Sequence, residues 1–391
     1  MNTIPPGQAA RIARDVYEIE LKGISRALKI TDGLSLQDPK GISFQRPAEK
    51  FTGRTGFIKK QAGFGYVAEG EGHRKDHYLV ALRGTTGPIG ISRDWQTNYR
   101  INTSMSKNGY PVHAGFQSVF EDFLSDLEAY FRGKRGTIHF LGHSLGGALA
   151  TLAADYFAAA KNFTIYLYTF GAPRVGLEGF CRNLTKEVTQ KNIFRMYHAN
   201  DPVPMIAPFP YMHAPFTSMK ELNWGLCIPS FGKLITASDH SKLLYVKTAE
   251  QYADWNNIGN NNMLPYKTWE VWLKEMAERK YAGILQFGSD VMAMITQCIG
   301  GILEASLGCV GITNLSGVTM ADQLAWILER GTAASKNIAI NLKSLMQVIF
   351  RFLGRPVTPP IDLTVAMIRY VLNLLFTVLQ NMAGRALSLF A

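Results

Sequence analysis

Cysteine is scarce in this chain, and its spacing excludes two classes of site. The 391 residues contain only four cysteines: Cys181, Cys227, Cys298 and Cys309. They show neither the paired spacing of a zinc site nor the dense, even framework of a disulfide-stapled scaffold. We therefore expect reduced thiols, and the sequence predicts neither a metal site nor a cofactor.

The first residues lack the pattern of a cleaved export signal. Met1–Gly7 contains neither a basic segment nor an apolar run, and a secretory signal peptide needs both. We therefore predict that the protein is made in the cytoplasm without a cleavable signal peptide. Any secretion would then follow a signal-independent route.

Acidic residues are outnumbered by basic ones. The 30 Asp and Glu residues stand against 41 Lys and Arg residues, which gives a net charge of +11 at pH 7. The excess is dispersed, and no basic–aromatic module for nucleic acid is visible. A dispersed basic surface favours contact with anionic bilayers, although an ordinary basic soluble protein has the same balance.

The most informative segment, residues 137–154, reads TIHFLGHSLGGALATLAA. A β-branched and aromatic run predicts a buried strand, and the Ala- and Leu-rich run after it predicts a helix over residues 145–160. Between them, Ser144 lies two residues from each of Gly142 and Gly146. A serine at such a tight strand-to-helix turn is typical of the nucleophile elbow of α/β-hydrolases. The alternative is a glycine-rich turn with a capping serine.

A serine nucleophile needs a general base, and the base needs an orienting carboxylate. Asp201 follows the predicted strand Ile193–His198 and precedes Pro202, which fixes a rigid turn. His240 comes later, so that the chain order is Ser…Asp…His, as in α/β-hydrolases. We interpret Ser144, Asp201 and His240 as nucleophile, acid and base.

At this point the chain resembles the class 3 lipases, the family typified by fungal triacylglycerol lipases. Six segments within residues 57–246 carry the resemblance, in the family's order: Leu82–Thr85, Val112–Phe116, Gly142–Gly146, Tyr168–Gly176, Asn200–Pro204 and Asp239–His240. The resemblance implies Ser144, Asp201 and His240 as catalytic residues. It assigns the oxyanion hole to Thr85 and to the backbone N–H of Leu145. It does not extend to the last third of the chain.

Other titratable residues compete for these roles. His213 is the main alternative for the general base, because it also lies downstream of the predicted acid. The resemblance favours His240, since the family has a non-catalytic histidine near the position of His213. We expect structural roles for the remaining candidates: His113, His139, His143, His198, Asp155 and Asp239.

Strands alternate with helices through the first two thirds of the chain. The patterns predict strands near residues 63–68, 77–82, 137–141, 164–170 and 193–198, and helices near 8–29, 116–131 and 145–160. This alternation predicts an α/β fold, with a mostly parallel sheet flanked by helices as in α/β-hydrolases. We place a hydrolase domain at residues 1–280 and a mainly helical extension at 281–391.

The extension is apolar and sparsely charged. Helices are predicted near residues 319–331, 334–353 and 362–384, and the third reads as apolar nearly all round. Its charge-free stretch, 370–384, spans 15 residues, short of a membrane-spanning helix. The extension could pack on the hydrolase, enter a bilayer as a hairpin, or bind a chaperone or another partner protein.

Residues 86–95 combine glycines with Ile89, Ile91 and Trp95. The resemblance implies a lid over the serine in this region. The alternative is an ordinary surface loop.

Together these features predict a serine ester hydrolase that cleaves acyl esters of lipids, a phospholipase or lipase that acts at membranes. A further hypothesis is an antibacterial effector with a cognate immunity protein or a secretion chaperone, because a hydrolase without a leader and with an apolar tail resembles bacterial lipase effectors. Two alternatives remain: a membrane-inserting or partner-binding protein on a hydrolase scaffold, and a soluble small-ester esterase.

Overall fold

A mostly parallel sheet lies at the centre of the molecule. The structure is a computed structural model that describes residues 3–18, 44, 49–55, 60–84, 103–216, 225–230, 232, 234–258, 269–278, 288–310, 320–357 and 361–390. The strands in these residues are β1 (Glu49–Thr55), β2 (Lys60–Glu69), β3 (His77–Leu82), β4 (Thr103–Met105), β5 (Pro111–His113), β6 (Gly136–His143), β7 (Phe163–Phe170), β8 (Ile193–His198) and β9 (Leu226–Ile228).

Seven of these strands form one sheet in the order β1-β2-β3-β6-β7-β8-β9, and β4 pairs with β5 in a separate hairpin. The strands β1, β2 and β3 are antiparallel neighbours. From β3 to β9 all neighbours run parallel. The predicted α/β class with a mostly parallel sheet is therefore confirmed.

Helices flank this sheet and continue beyond it. Their bounds are α1 (Pro6–Asp15), α2 (Ala114–Phe131), α3 (Leu145–Ala159), α4 (Glu178–Val188), α5 (Lys242–Ala249), α6 (Trp269–Glu278), α7 (Ser289–Val310), α8 (Met320–Ala334), α9 (Lys336–Phe352) and α10 (Val365–Phe390). The predicted N-terminal helix is shorter than expected, because α1 ends at Asp15 with Val16 as its C-cap. The rest of that prediction, residues 19–29, lies outside the described residues.

The two faces of the sheet are covered by different layers. Alternate residues of β3 face different layers. Val80 and Leu82 join an apolar cluster with α2 and α3, whereas Leu79 and Ala81 join a second cluster with α1. Successive side chains of a strand point to opposite faces, and a parallel sheet needs cover on both of them. This double burial explains why β3 reads as a continuous apolar run.

The C-terminal helices pack on the part of the molecule that contains the sheet. Buried side chains from α7 to α10, among them Ile299, Leu345 and Leu375, belong to the same apolar cluster as Phe120 of α2 and Phe140 of β6. This arrangement favours the first of the three readings of the extension. By length and composition alone, Val291–Gly308 and Val365–Leu389 could each cross a membrane, a test that buried core helices also pass.

The prediction that α10 is apolar nearly all round is wrong. Its inner residues are buried at helical spacing, for example Ile368, Leu372, Leu375 and Leu379. Its outer stripe is exposed and mostly polar: Arg369, Asn373, Thr377, Asn381 and Arg385. The helix is therefore amphipathic. The division of the chain near residue 280 stays a prediction.

Candidate active site

The turn between β6 and α3 holds Ser144 in a conformation that most residues avoid. Ser144 has φ 60° and ψ −130°, and non-glycine residues at positive φ are strained and concentrate at functional sites. Its backbone N–H donates to the carbonyl of Phe170 at 2.9 Å, which ties the turn to β7. The sequence therefore stores strain at the predicted nucleophile, and the neighbouring strand holds it in place.

The glycines around Ser144 are required by close backbone contacts. A Cβ at Gly142 would lie 2.2 Å from the carbonyl carbon of Gly146, and a Cβ at Gly146 would lie 2.2 Å from the carbonyl oxygen of Leu82. Neither position can hold a side chain without moving backbone. The GxSxG pattern is thus a packing requirement between the elbow and the end of β3.

The structure brings Ser144, His240 and Asp201 into direct contact. The Nε2 atom of His240 lies 2.9 Å from the Oγ of Ser144. On the other side of the ring, Nδ1 lies 2.8 Å from Oδ2 of Asp201 and 3.1 Å from its Oδ1. All three side chains are buried, with relative exposures of 2% or less. This is the geometry in which a hydroxyl can pass its proton to an imidazole that a carboxylate orients.

Asp201 is held by donors from two directions. Its Oδ1 accepts the backbone N–H of Val203 at 2.9 Å, and its Oδ2 accepts the hydroxyl of Tyr245 at 2.7 Å. Gly171 makes this approach possible, because it has φ +57° and its Cβ would lie 2.7 Å from Oδ2. These two donors fix the carboxylate in the orientation in which it meets Nδ1 of His240.

His240 ends a short 3-10 turn, Ala237–His240, which we call the histidine turn. Two buried histidines contact its backbone. His143 donates from Nε2 to the carbonyl of His240 at 3.0 Å, and His198 donates from Nδ1 to the carbonyl of Asp239 at 2.7 Å. Burial lowers the pKa of both rings, that of His143 well below its usual value. They therefore act as neutral donors that fix the backbone under His240.

Tyr17, on the segment that follows α1, completes this support. Its hydroxyl lies 2.8 Å from Nδ1 of His143, and its buried ring lies under the amino group of Lys242. Since Nε2 of His143 donates to His240, Nδ1 accepts the proton of Tyr17. Sequence reasoning missed both Tyr17 and Tyr245. No local motif marks them, because each meets the site only through tertiary packing.

The oxyanion hole is described in part. Leu145 is the first residue of α3, directly after Ser144. Backbone N–H groups in the first turn of a helix have no partner within that helix and point out of its N-terminal end, which here is the end at Ser144. Thr85 lies outside the described residues, which stop at Gly84 in this segment, and so does the predicted lid at residues 86–95. Gly84 itself lies beside the elbow, since its Cβ would be 2.9 Å from the carbonyl oxygen of His143.

The competing residues have other partners. His213, the main alternative base, contacts the carbonyl of Pro204 through Nε2 at 2.8 Å and is buried. His139 contacts His77 and Tyr168, and the ring of His113 caps α2 by accepting the N–H of Gly115. Asp239 accepts the hydroxyl of Thr236. In the part of the chain that the structure describes, no group of three His, Cys, Asp or Glu residues could hold a metal.

Parts of this chain are similar to known proteins. The family model for lipase (class 3) matches residues 79–211. A secreted mono- and diacylglycerol lipase 1 of Fusarium solani is 33% identical over 165 residues, which cover 40% of this chain and 47% of that protein. A phospholipase A1-II 4 of rice is 29% identical over 147 residues, which cover 35% of this chain and 36% of that protein. The chain thus spans less than half the length of either relative.

Among solved structures, a triacylglyceride lipase of Rhizomucor miehei matches with 20% identity and a TM-score of 0.38, covering 53% of this chain and 76% of that chain.

The named relatives also correct the predicted localisation. The Fusarium protein is described as secreted, which contradicts synthesis without a cleavable signal and export by a signal-independent route. That prediction was wrong because the first few residues of a sequence do not by themselves determine the route of a protein.

Two observations support the similarity to the class 3 lipases. The parallel order from β3 to β9 places the elbow at the carboxyl end of β6, where α/β-hydrolases carry their nucleophile. The matched segment spans that strand, the elbow and the turn that carries Asp201. Over residues 79–211, this chain is similar to the class 3 lipases.

Proposed function

We propose that this protein is a serine ester hydrolase that cleaves acyl esters of lipids. The observation that carries the proposal is the contact between Ser144, His240 and Asp201, at 2.9 and 2.8 Å, on a strained elbow. A buried serine, imidazole and carboxylate in hydrogen-bond contact are the parts of an acyl-transfer site.

In the proposed mechanism, His240 accepts the proton of Ser144 through Nε2 as the serine oxygen attacks the acyl carbonyl. Asp201 accepts Nδ1–H, keeps the ring in the correct tautomer and stabilises the imidazolium. His240 then protonates the leaving alkoxide. A water molecule, deprotonated by the same ring, hydrolyses the acyl-enzyme and returns Ser144 to its starting state.

The oxyanion of each tetrahedral intermediate is assigned to the N–H of Leu145 and to Thr85. The loss of one such donor typically lowers the turnover rate by about a hundred- to a thousand-fold. The position of Leu145 at the start of α3 supports its half of this assignment. The role of Thr85 rests on the resemblance to class 3 lipases alone.

For the substrate, we propose glycerolipids, with a preference for phospholipids in anionic membranes. The names of the relatives describe hydrolysis of mono- and diacylglycerols in one case and a phospholipase A1 in the other. The net charge of +11 favours anionic lipid surfaces. Mass spectrometry of the products from mixed membrane lipids would identify the lipid class and the ester position that is cleaved.

The test of the chemistry is a Ser144→Ala variant assayed on a soluble p-nitrophenyl ester. We expect turnover to fall to background while the thermal unfolding midpoint stays near that of the wild type, because one oxygen is removed from a site that remains packed. Ser125→Ala, an exposed serine on α2, is the matched control. Near-normal turnover by Ser144→Ala would remove this residue as the nucleophile.

A partner protein is a separate proposal. We keep the prediction of an antibacterial effector, inhibited by an immunity protein or carried by a chaperone, as a hypothesis from the sequence. Bacterial growth with the protein directed to the periplasm or held in the cytoplasm tests it. Normal growth in both cases, with an active enzyme, would count against the effector.

A further inference from the structure

The catalytic serine cannot meet a lipid in the arrangement described above. Ser144 is 2% exposed and His240 is 1% exposed, whereas an acyl ester must reach the Oγ of Ser144 to within bonding distance. Some element next to the triad has to move before a lipid substrate can react. One of the two turns beside the triad carries His240, and the other follows Asp201. An element that contacts either turn is a candidate for this movement.

Helix α10 contacts both of these turns. It packs against the histidine turn and against Val203–Met205, the 3-10 turn that begins two residues after Asp201. Its buried stripe joins one apolar cluster with Val203, Ile206 and Ile235. The apolar surface beside the triad, which an acyl chain would need, is thus in contact with this C-terminal helix.

The composition of α10 suits a helix that can exchange protein for lipid. Its inner stripe is apolar, and its outer stripe carries Asn373, Thr377 and Asn381. The charged residues of α10 are Arg369 and Arg385, so the helix has no acidic side chain. An amphipathic helix with cationic residues on its polar face can lie in a membrane interface with its apolar stripe in the acyl region, and anionic lipid strengthens this binding.

Besides its buried apolar side chains, the N-terminal end of α10 is held by exposed polar contacts. Arg369 pairs with Asp322 of α8 at 2.8 Å, with side-chain exposures of 48% and 27%. The guanidinium of Arg355 reaches the hydroxyl of Tyr370 at 3.5 Å. Pro356, Pro359 and Pro360 separate α10 from α9, and proline cannot continue a helix across such a junction. Helix α10 is therefore a separate element from α9, which ends at Phe352.

We propose that α10 is a lipid-binding cover of the active site, which leaves the histidine turn and the Val203–Met205 turn when an anionic lipid surface takes up its apolar stripe. The partner is an anionic bilayer. The proposal rests on the proposed function, because only a lipid substrate makes this exchange useful. It assigns the last helix a role distinct from that of residues 86–95.

The first experiment measures hydrolysis of p-nitrophenyl butyrate, kept below its aggregation threshold, by the full chain. Vesicles of non-hydrolysable diether phosphatidylglycerol are added, with diether phosphatidylcholine vesicles as the uncharged arm. We expect at least a ten-fold rise in rate with the anionic vesicles and a much smaller rise with the uncharged ones. Equal rates with and without vesicles, or equal stimulation by both, would overturn the proposal.

Hydrogen exchange on the Ser144→Ala full chain locates the motion independently of turnover. With the anionic vesicles we expect the amides of the histidine turn to exchange at least ten-fold faster, while residues 365–390 stay protected as a helix in lipid. Unchanged exchange at the histidine turn would show that α10 does not leave it. Hydrolysis that depends on Ser144 but not on vesicles would keep the proposed function and reject the cover.

Variants of the attachment complete the test. Asp322→Ala removes the pair with Arg369, and because exposed pairs are weak, we expect the rate without vesicles to rise about two- to five-fold. Lys274→Ala, which removes the exposed Lys274–Glu278 pair on α6, is the matched control and should leave the rate unchanged. The unfolding midpoint reports whether each variant is folded. An unchanged rate in a folded Asp322→Ala variant, or an equal rise in the control, would contradict the proposal.

Discussion

Asp155 is a buried carboxylate on the helix that follows Ser144, and we predict that it makes the protein less stable as the pH rises. It is 3% exposed on α3 and receives Nδ2–H bonds from Asn108 at 2.9 Å and from Asn183 at 3.5 Å. These donors do not offset the loss of water. Burial raises the pKa of Asp155 from 3.8 to about 6, against smaller opposing effects of Asn108, Asn183 and Ser106.

The sign and size of the pH effect on the free energy of unfolding follow from the difference in the pKa of Asp155 between the folded and unfolded states. A group whose pKa is higher in the folded state contributes stability at low pH, and this contribution is lost as the pH rises through the folded value. The difference between 3.8 and about 6 corresponds to about 3 kcal/mol at pH 7. Asp155→Asn keeps a neutral side chain at all pH values. We therefore expect the variant to gain stability over the wild type by about 1.4 kcal/mol per pH unit between pH 4 and pH 6.

Urea unfolding at intervals from pH 4 to pH 8 measures this difference. The free energy of unfolding of Asp155→Asn minus that of the wild type should rise through the acid range and level off above about pH 7. Asp126→Asn, an exposed carboxylate on α2, is the control and should give a nearly flat difference. A flat difference for Asp155→Asn would refute the reasoning, because it would mean that burial does not hold the proton on this carboxyl group.

Two further predictions concern the support of the triad. Tyr245→Phe removes the hydroxyl that donates to Asp201 at 2.7 Å, and it should lower the free energy of unfolding by about 1.5–3 kcal/mol. We also expect kcat to fall. The control is Tyr252→Phe, at a partly buried tyrosine outside the triad, which should not lower kcat. Gly84→Ala places a Cβ 2.1 Å from the hydroxyl of Tyr17, and we expect a loss of activity and stability that Tyr17→Phe partly restores. Additive effects in that double variant, measured by unfolding midpoints and kcat, would contradict the contact.

The elbow and the order of the triad could be predicted because their causes are local. Gly142 and Gly146 are needed by contacts within the turn and with the end of β3, at 2.2 Å in each case. A tight turn after a strand with an obligatory pair of glycines leaves a pattern in five consecutive residues. Asp201 and His240 could be found since each follows a recognisable element, a strand before a proline for the first and the family segment for the second.

The support around the triad could not be predicted, because it is decided by packing between distant elements. Tyr17 and His143 are 126 positions apart, and nothing in either neighbourhood indicates the partner. The C-terminal helix was misjudged for a related reason. Its outer stripe is broken into single polar residues such as Asn373, Thr377 and Asn381, which a count of charges does not detect. The spacing of these residues at every fourth position, rather than the number of charges, shows α10 to be amphipathic.

The histidine turn is the part of the site that depends most on the rest of the molecule. It is a four-residue 3-10 turn, too short to hold its own shape through a repeating hydrogen-bond pattern. His143 and His198 donate hydrogen bonds to its carbonyl groups, and α10, the last helix of the chain, packs against it. His240, the proposed general base, is therefore fixed by neutral rings that have no part in the proposed proton transfer, while the proposed cover is a separate helix that packs on the turn through its apolar side. This separation allows the cover to move without displacing the imidazole from Ser144 and Asp201.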